Sequence, residues 1–344
     1  MTQAHDTLRA VKWDNMQLHL LDQRQLPHQQ EMLILNMASE VAQAIKDMIV
    51  RGAPAIGITA AYGVVLAARD AYQQDATQWQ TIIQKDLNLL AESRPTAVNL
   101  KWALEKMQTY FAQITGDPVL PLLAEAEKIH QADIDANYHM GELGAALLPK
   151  NCRVLTHCNA GALATGGYGT SLGVIRHGYA NGKIAQVYAD ETRPWLQGSR
   201  LTAWELLQDN IPVTLLVEGA AASLMQQGKV DWIIVGSDRI TANGDVVNKI
   251  GTYHLAVLAR YHGVKFMVVA PMSTVDKKIA SGQDVVIETR HADEILNIAG
   301  QRIAAKGADA WNPVFDVTPA ELVDVIVTEQ GVVQQPTVEK IANL

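Results

Sequence analysis

The spacing of apolar residues changes near residue 150. Over 35–71 apolar and small side chains recur at helical intervals, with Pro54 interrupting a run that 57–68 resumes. Segments 101–114 and 118–149 carry the same period, so the first third of the chain is expected to be mainly helical. Beyond it the apolar residues gather in short runs at 153–156, 184–189, 213–217, 232–235, 266–269 and 323–327. Ala-, Leu- and Gly-rich segments lie between several of them and are long enough to form crossover helices. Strands joined by helical crossovers pair in parallel, which predicts an α/β architecture: a mostly parallel sheet with helices on both faces. No repeat or low-complexity linker marks the junction, which the pattern places between 120 and 150.

A chain of 344 residues, 48% hydrophobic and 19% charged, can bury a substantial core and has room for two domains. Its formal charge of -8 argues against a general nucleic-acid surface but leaves room for a local basic pocket around a small anion. Both cysteines, Cys152 and Cys158, lie close to one predicted strand without the Cys/His spacing of a metal site. Neither a secretory signal nor a membrane-spanning run is evident. The expectation is a reduced, cytoplasmic protein with no structural metal and no membrane or nucleic-acid partner.

In a parallel sheet, ligands gather beyond the carboxyl ends of the strands, and polar clusters fall at those ends here. The first run is followed by His157, Cys158 and Asn159; the second by Asp190, Glu191, Thr192, Arg193 and Pro194; the fourth by Gly236, Ser237, Asp238 and Arg239. Unpaired Cys commonly fills a core, but the segment THCNAGALATGGYGT (156–170) leaves the exit past Cys158 sterically open to a ligand. It has neither the Gly-x-Gly-x-x-Gly order of a dinucleotide site nor the Gly-Lys-Ser/Thr ending of a phosphate-binding P-loop. Amides at the start of the helix after it can hold a single phosphate or oxyanion; the alternative is a tight helix–sheet junction with no ligand.

Asp238 is the leading acid–base candidate, because burial at a strand mouth raises a carboxylate pKa. Arg51, beside the small residues Gly52 and Ala53, and Arg94 are candidate phosphate donors. Asn248 and Gln197 offer amides for sugar hydroxyls, and Lys249 an ammonium for phosphate or carbonyl oxygen. Each has a plain alternative: a capping Asn, an exposed Gln, a solvated Lys or Arg. Asp190, Glu191 and Arg193 fit an internal ion-pair network as well as they fit ligand contact.

These residues, in this order, closely resemble the family that contains the methylthioribose-1-phosphate isomerases and the regulatory subunits of the translation-initiation guanine-nucleotide exchange factor. The resemblance spans nearly the whole chain: Leu20, Leu21, Asp22 and Gln23 followed by Leu26 and Pro27; 51–57; Ser93, Arg94, Pro95 and Thr96; 157–170; 191–194; and 236 through Asn248, Lys249, Ile250, Gly251 and Thr252. It implies a helical N-terminal domain over 1–125 and a Rossmann-like domain over 126–344. It further implies isomerisation of 5-methylthio-α-D-ribose 1-phosphate to 5-methylthio-D-ribulose 1-phosphate in methionine salvage, by a homodimer that uses no cofactor. The pair Cys158 and Asp238 resembles the catalytic residues of the enzyme branch; Arg51, Gly52, Ala53, Arg94, Gln197, Asn248 and Lys249 match its substrate-binding positions. A ribose-1,5-bisphosphate isomerase and a noncatalytic regulatory subunit are the alternatives within the family.

Overall fold

The computed structural model describes residues 5–95 and 97–344; Thr96 of the Ser93–Thr96 motif lies outside them. The predicted helical stretch over 35–71 is two helices, Ala38–Lys46 and Ala53–Gln74. Pro54 does not break the second. It sits in its first turn, where a proline has no intrahelical amide bond to lose and its fixed φ suits the helix. Ala53–Gln74 is buried along most of its length, which its run of Ala, Gly, Ile and Val residues permits, and it packs against Val98–Gln108 and the long helix Val119–Ala146. The same long helix also packs on Ser171–Ala180, linking the helical region to the sheet.

The pattern gives no assignment before residue 35, yet Val11–Asp14, Gln17–Leu21 and Met32–Leu35 form an antiparallel three-stranded sheet. Strands of four or five residues leave too little alternation to detect, although Leu18 and Leu20 are buried.

All six predicted strand runs enter one seven-stranded sheet. Its spatial order is Gly331–Gln334, Val325–Thr328, Lys265–Val269, Trp232–Val235, Cys152–Thr156, Ile184–Asp190, Val213–Leu216. Every pairing is parallel except that of the Gly331–Gln334 edge strand. The chain builds outward from Cys152–Thr156 in one direction and then, starting with Trp232–Val235, in the other. This creates a switch point between those two strands, where a crevice opens at their carboxyl ends. Two apolar layers, one around Ile233 and Phe266 and the other around Val154 and Met267, pack against the sheet.

A second sheet, of order Val275–Asp276, Arg239–Thr241, Val246–Lys249, Phe315–Thr318, stands beyond the mouth. Asn243, Gly244 and Asp245 form the turn expected from sequence, joining Arg239–Thr241 to Val246–Lys249 as a hairpin. That hairpin carries Asp238 at its entry and Asn248 and Lys249 at its end. No helix among the described residues is long and apolar enough to cross a membrane.

Candidate functional site

All nine residues selected from sequence, Arg51, Gly52, Ala53, Arg94, Cys158, Gln197, Asp238, Asn248 and Lys249, line one cavity at the switch point. Three structural regions meet there: the start of the Ala53–Gln74 helix, the exits of Cys152–Thr156 and Trp232–Val235, and the end of the hairpin. Gly52 makes the approach possible. Its φ is +90°, and a Cβ there would lie 2.4 Å from the Ala164 carbonyl oxygen, so a side chain would push the helix start away from the glycine-rich loop.

Cys158 is held in the left-handed region, with φ +62°. Its N–H donates to Thr192 Oγ1 (2.9 Å) and its carbonyl accepts from Thr202 Oγ1 (2.5 Å). The loop beyond it does not present its amides as an open oxyanion cradle. Ala162 and Leu163 donate their N–H groups to the buried carboxylate of Glu205 (2.6 and 3.2 Å), and Gly166 donates to Asp133 (2.7 Å). Those three loop donors, which precede the helix Ser171–Ala180, are satisfied internally, and Arg51, Arg94 and Lys249 bring positive charge to the cavity.

Burial dominates the electrostatics. It pushes the Asp238 carboxyl and the Cys158 thiol up, in both cases against the pull of Lys249 and Arg51. It pushes Lys249 down to about 8 and Arg51 down to about 10, although Cys158 opposes both shifts. Burial therefore shifts both acid groups toward their neutral forms, beside cations that are costly to desolvate. Lys249 donates to the Val314 carbonyl (2.8 Å) and sits 4.3 Å from the Phe315 ring centroid. Arg51 lies over Trp195, 5.4 Å from the ring centroid, and with the Gln197 amide in its satisfied orientation donates from Nη2 to that amide oxygen (2.7 Å). Its Nη1 is buried without a partner among the described residues. A buried charged donor with no acceptor is the feature an anionic ligand would satisfy.

His157, like Cys158, lies beyond the strand, which ends at Thr156. Its Nδ1 faces Asp190 Oδ2 (3.0 Å) and its Nε2 the Ile250 carbonyl (2.8 Å). With acceptors at both ring nitrogens the imidazolium is the form that satisfies them. Burial, the largest single effect, opposes this form, but the Asp190 bond and charge, the Ile250 carbonyl and the charge of Glu218 together hold the His157 pKa above its ordinary value. The suggested network of Asp190, Glu191 and Arg193 is therefore differently made. Asp190 takes His157, whereas Arg193 donates to the carbonyls of Pro194 (2.8 Å) and Ile295 (3.0 Å).

Sequence reading overlooked several residues at the site. Trp195 and Arg290 contribute to it, as do Gln23, whose amide holds the Leu163 carbonyl (2.7 Å), and Phe315. Trp195 lies two residues before Gln197 and was detectable by proximity. Arg290 occupies a long segment without periodicity, and nothing in the sequence pattern singles it out.

The model of the initiation factor 2 subunit family matches residues 49–335. A methylthioribose-1-phosphate isomerase of Thioalkalivibrio sulfidiphilus is 60% identical, the match covering 99% of this chain and 98% of that one. One from Pseudomonas aeruginosa is 56% identical, with 99% and 96% covered. Among solved structures, the 5-methylthioribose 1-phosphate isomerase of Pyrococcus horikoshii superimposes with TM-score 0.92 at 44% identity, covering 98% of this chain and 95% of that one. A protein of A. fulgidus described as translation initiation factor eIF-2B, subunit delta, gives 0.89 at 42%, covering 98% and 100%. With its cavity at the switch point and these relatives matched from end to end, the chain belongs to the initiation factor 2 subunit family, in the group of the methylthioribose-1-phosphate isomerases.

Proposed function

We propose that this chain isomerises 5-methylthio-α-D-ribose 1-phosphate to 5-methylthio-D-ribulose 1-phosphate in methionine salvage, with Cys158 and Asp238 as its catalytic residues. The observation that carries the site assignment is the gathering of a carboxyl whose pKa burial raises, a thiol and three cationic side chains in one cavity. In this reading the helical N-terminal unit, 1–125, supplies Arg51, Gly52, Ala53 and Arg94, and the Rossmann-like unit, 126–344, supplies the rest. Arg51, Arg94 and Lys249 hold the phosphate, with the backbone at Gly52 and Ala53 close to it; Gln197 and Asn248 bind sugar hydroxyls.

The phosphate on the anomeric oxygen prevents ordinary opening to a free aldose. Asp238 gives its proton to the ring oxygen as the bond from that oxygen to C1 breaks. The C2 hydrogen then moves by one of two routes. As a proton it leaves to a base, forming an enol phosphate that is reprotonated at C1. As a hydride it passes with its electron pair to C1, while the 2-hydroxyl gives its proton to the Asp238 carboxylate left by ring opening and becomes the ketone. Cys158 is the base in the first route and supports the transition state in the second. A thiol kept neutral by burial favours the second, since only a thiolate accepts a proton.

The direct test incubates purified protein with methylthioribose 1-phosphate, without added nucleotide, nicotinamide or metal, and resolves the phosphorylated ketose product. Ribose 1,5-bisphosphate is the competing substrate, and turnover of that sugar alone would replace the specificity assigned here. The proposed assembly is a cytoplasmic homodimer; sedimentation as a single species of twice the chain mass is the expected result, and a monomer would contradict it.

The Lys249 charge makes affinity pH-dependent. Its ammonium is intact below about 8 and is lost as pH rises through that value, so a phosphate dianion loses a cationic partner on the alkaline side. Calorimetric titration with the ketose phosphate between about pH 7 and 9.5 should show affinity falling beyond about 8. A flat profile over that range would remove Lys249 from the phosphate contacts.

A further inference from the structure

His157 is buried, and its side chain joins two elements that carry different parts of the site. It immediately precedes Cys158, while Ile250, whose carbonyl faces its Nε2 at 2.8 Å, immediately follows Lys249. A carbonyl oxygen can only accept, so Nε2 carries the hydrogen of this bond. Asp190 Oδ2 lies 3.0 Å from the other ring nitrogen. Two residues beyond Asp190, Thr192 Oγ1 accepts from the Cys158 N–H (2.9 Å), so one turn orients both the imidazole and the Cys158 backbone. Gly251 packs against the ring: its φ is +103°, and a Cβ there would lie 2.8 Å from His157 Cε1.

The segment that His157 grips also carries the ammonium of Lys249. The Ile250 N–H donates to the Val314 carbonyl (3.0 Å), which accepts from Lys249 Nζ too (2.8 Å), and the Gly251 N–H donates to Asp316 Oδ2 (2.7 Å). Val314 and Asp316 adjoin or belong to Phe315–Thr318, the hairpin's partner in the second sheet. Those bonds fix Lys249 within its own sheet; the His157 bond fixes it against the exit of Cys152–Thr156 in the other. We propose that His157 is a positioning residue for the reaction: oriented by Asp190, it holds the end of the hairpin against the Cys158 turn and thereby sets where the Lys249 ammonium stands relative to the thiol and to Asp238. This role rests on the isomerase reading and adds to it a residue that acts through another.

Placement matters most at Lys249. Burial raises the pKa of both Cys158 and Asp238, and Lys249 is the strongest of the charges that oppose it at each. In a desolvated cavity charge interactions are strong and fall with distance, so a shift of the ammonium by about 1 Å alters the support it gives to a developing negative charge. His157 lines the cavity, but both of its nitrogens are engaged, so it offers the substrate no free donor or base. Asp190, Glu218 and Asp316, acidic groups whose charge reaches the ring, favour keeping its hydrogens in place.

The test measures kcat and KM for 5-methylthioribose 1-phosphate in the intact protein and in His157→Asn and His157→Gln, each checked for native circular dichroism. The Gln amide nitrogen reaches about as far as imidazole Nε2 and can still donate to the Ile250 carbonyl, whereas that of Asn stands near the place of Nδ1 and falls short. His157→Asn should lower kcat by roughly 10²-fold, the loss that accompanies a misplacement of about 1 Å. KM should change far less, because Arg51 and Arg94 hold the phosphate from other elements. His157→Gln should recover most of the loss. Adding His157→Asn to Lys249→Ala should slow the enzyme little further, since both changes remove the same placed charge. Near-native turnover by His157→Asn, a loss confined to KM, a His157→Gln equally slow, or full additivity with Lys249→Ala would overturn the positioning role and leave the isomerase reading intact. Should His157→Asn not fold, NMR of the wild-type protein carrying isotope-labelled histidine decides: the His157 Nε2 hydrogen should exchange slowly with solvent, and an Nε2 without hydrogen would overturn the role. A wild-type protein that leaves methylthioribose 1-phosphate unchanged would overturn both.

Discussion

Asp238→Asn is expected to reduce turnover by roughly 10²- to 10⁴-fold, the usual contribution of a positioned general acid, with product affinity little changed. Asn keeps the shape and hydrogen-bonding capacity of the carboxylic acid but has no proton acidic enough to give the ring oxygen. The Asp238 backbone N–H, bonded to the Val247 carbonyl at 3.0 Å, is untouched by the change, so the hairpin should remain in place. Cys158→Ala should also lower turnover severely, at the later step. Rapid-quench kinetics with product titration in parallel separates chemistry from binding, and near-native turnover by either variant would reject that residue's role. Isotopes then distinguish the routes. Solvent deuterium entering C1 supports proton exchange through the enol phosphate. Retention of deuterium from C2 fits hydride transfer and also fits a shielded base that returns the same proton. A time course with labelled substrate in the Cys158 variant shows whether exchange, transfer or both depend on the thiol.

The site was more legible in the sequence than the elements that carry it. Buried parallel strands have no alternation to detect, but their uninterrupted apolar runs stand out, and the polar residues at their ends therefore mark the mouth of the sheet. This is why Cys158 and Asp238 emerged from pattern alone. The hairpin ending at Lys249 was recognised only by its turn, because Arg239–Thr241 and Val246–Lys249 are short and almost wholly buried. Local pattern also gave no way to foresee which partner would satisfy a given polar group. The loop amides after Gly161 suit an anion by composition; the buried Glu205 that occupies two of them comes from a helix more than forty residues away. Likewise, Asp190 and Arg193 are close in sequence, yet their backbone directions give them different partners, His157 for one and main-chain carbonyls for the other.

Arg176→Met should be the most damaging substitution outside the cavity, lowering stability by about 3–5 kcal/mol, the cost typical of leaving a buried charge without its partner. Arg176 is fully buried. Its Nη1 forms an ion pair with Glu205 Oε1 (2.9 Å), and it donates from Nε to Asp209 (2.9 Å) and from Nη1 to the Tyr168 carbonyl (2.5 Å). Methionine fills comparable space but leaves two buried carboxylates uncompensated. The effect should reach the site, because Glu205 is what the amides of Ala162 and Leu163 hold on to, and a Cβ on Gly161 would come within 1.8 Å of its Oε1. If the penalty arises from the stranded charge, neutralising Glu205 in the same chain should recover part of it: Arg176→Met with Glu205→Gln should unfold at higher urea than Arg176→Met alone. Glu205→Gln by itself should be destabilising, since it weakens the acceptor for both amides and removes a partner of Arg176. A double-mutant cycle on denaturation midpoints reads this coupling directly. Simple additivity of the two substitutions would mean that the network holds the loop through packing and not through charge.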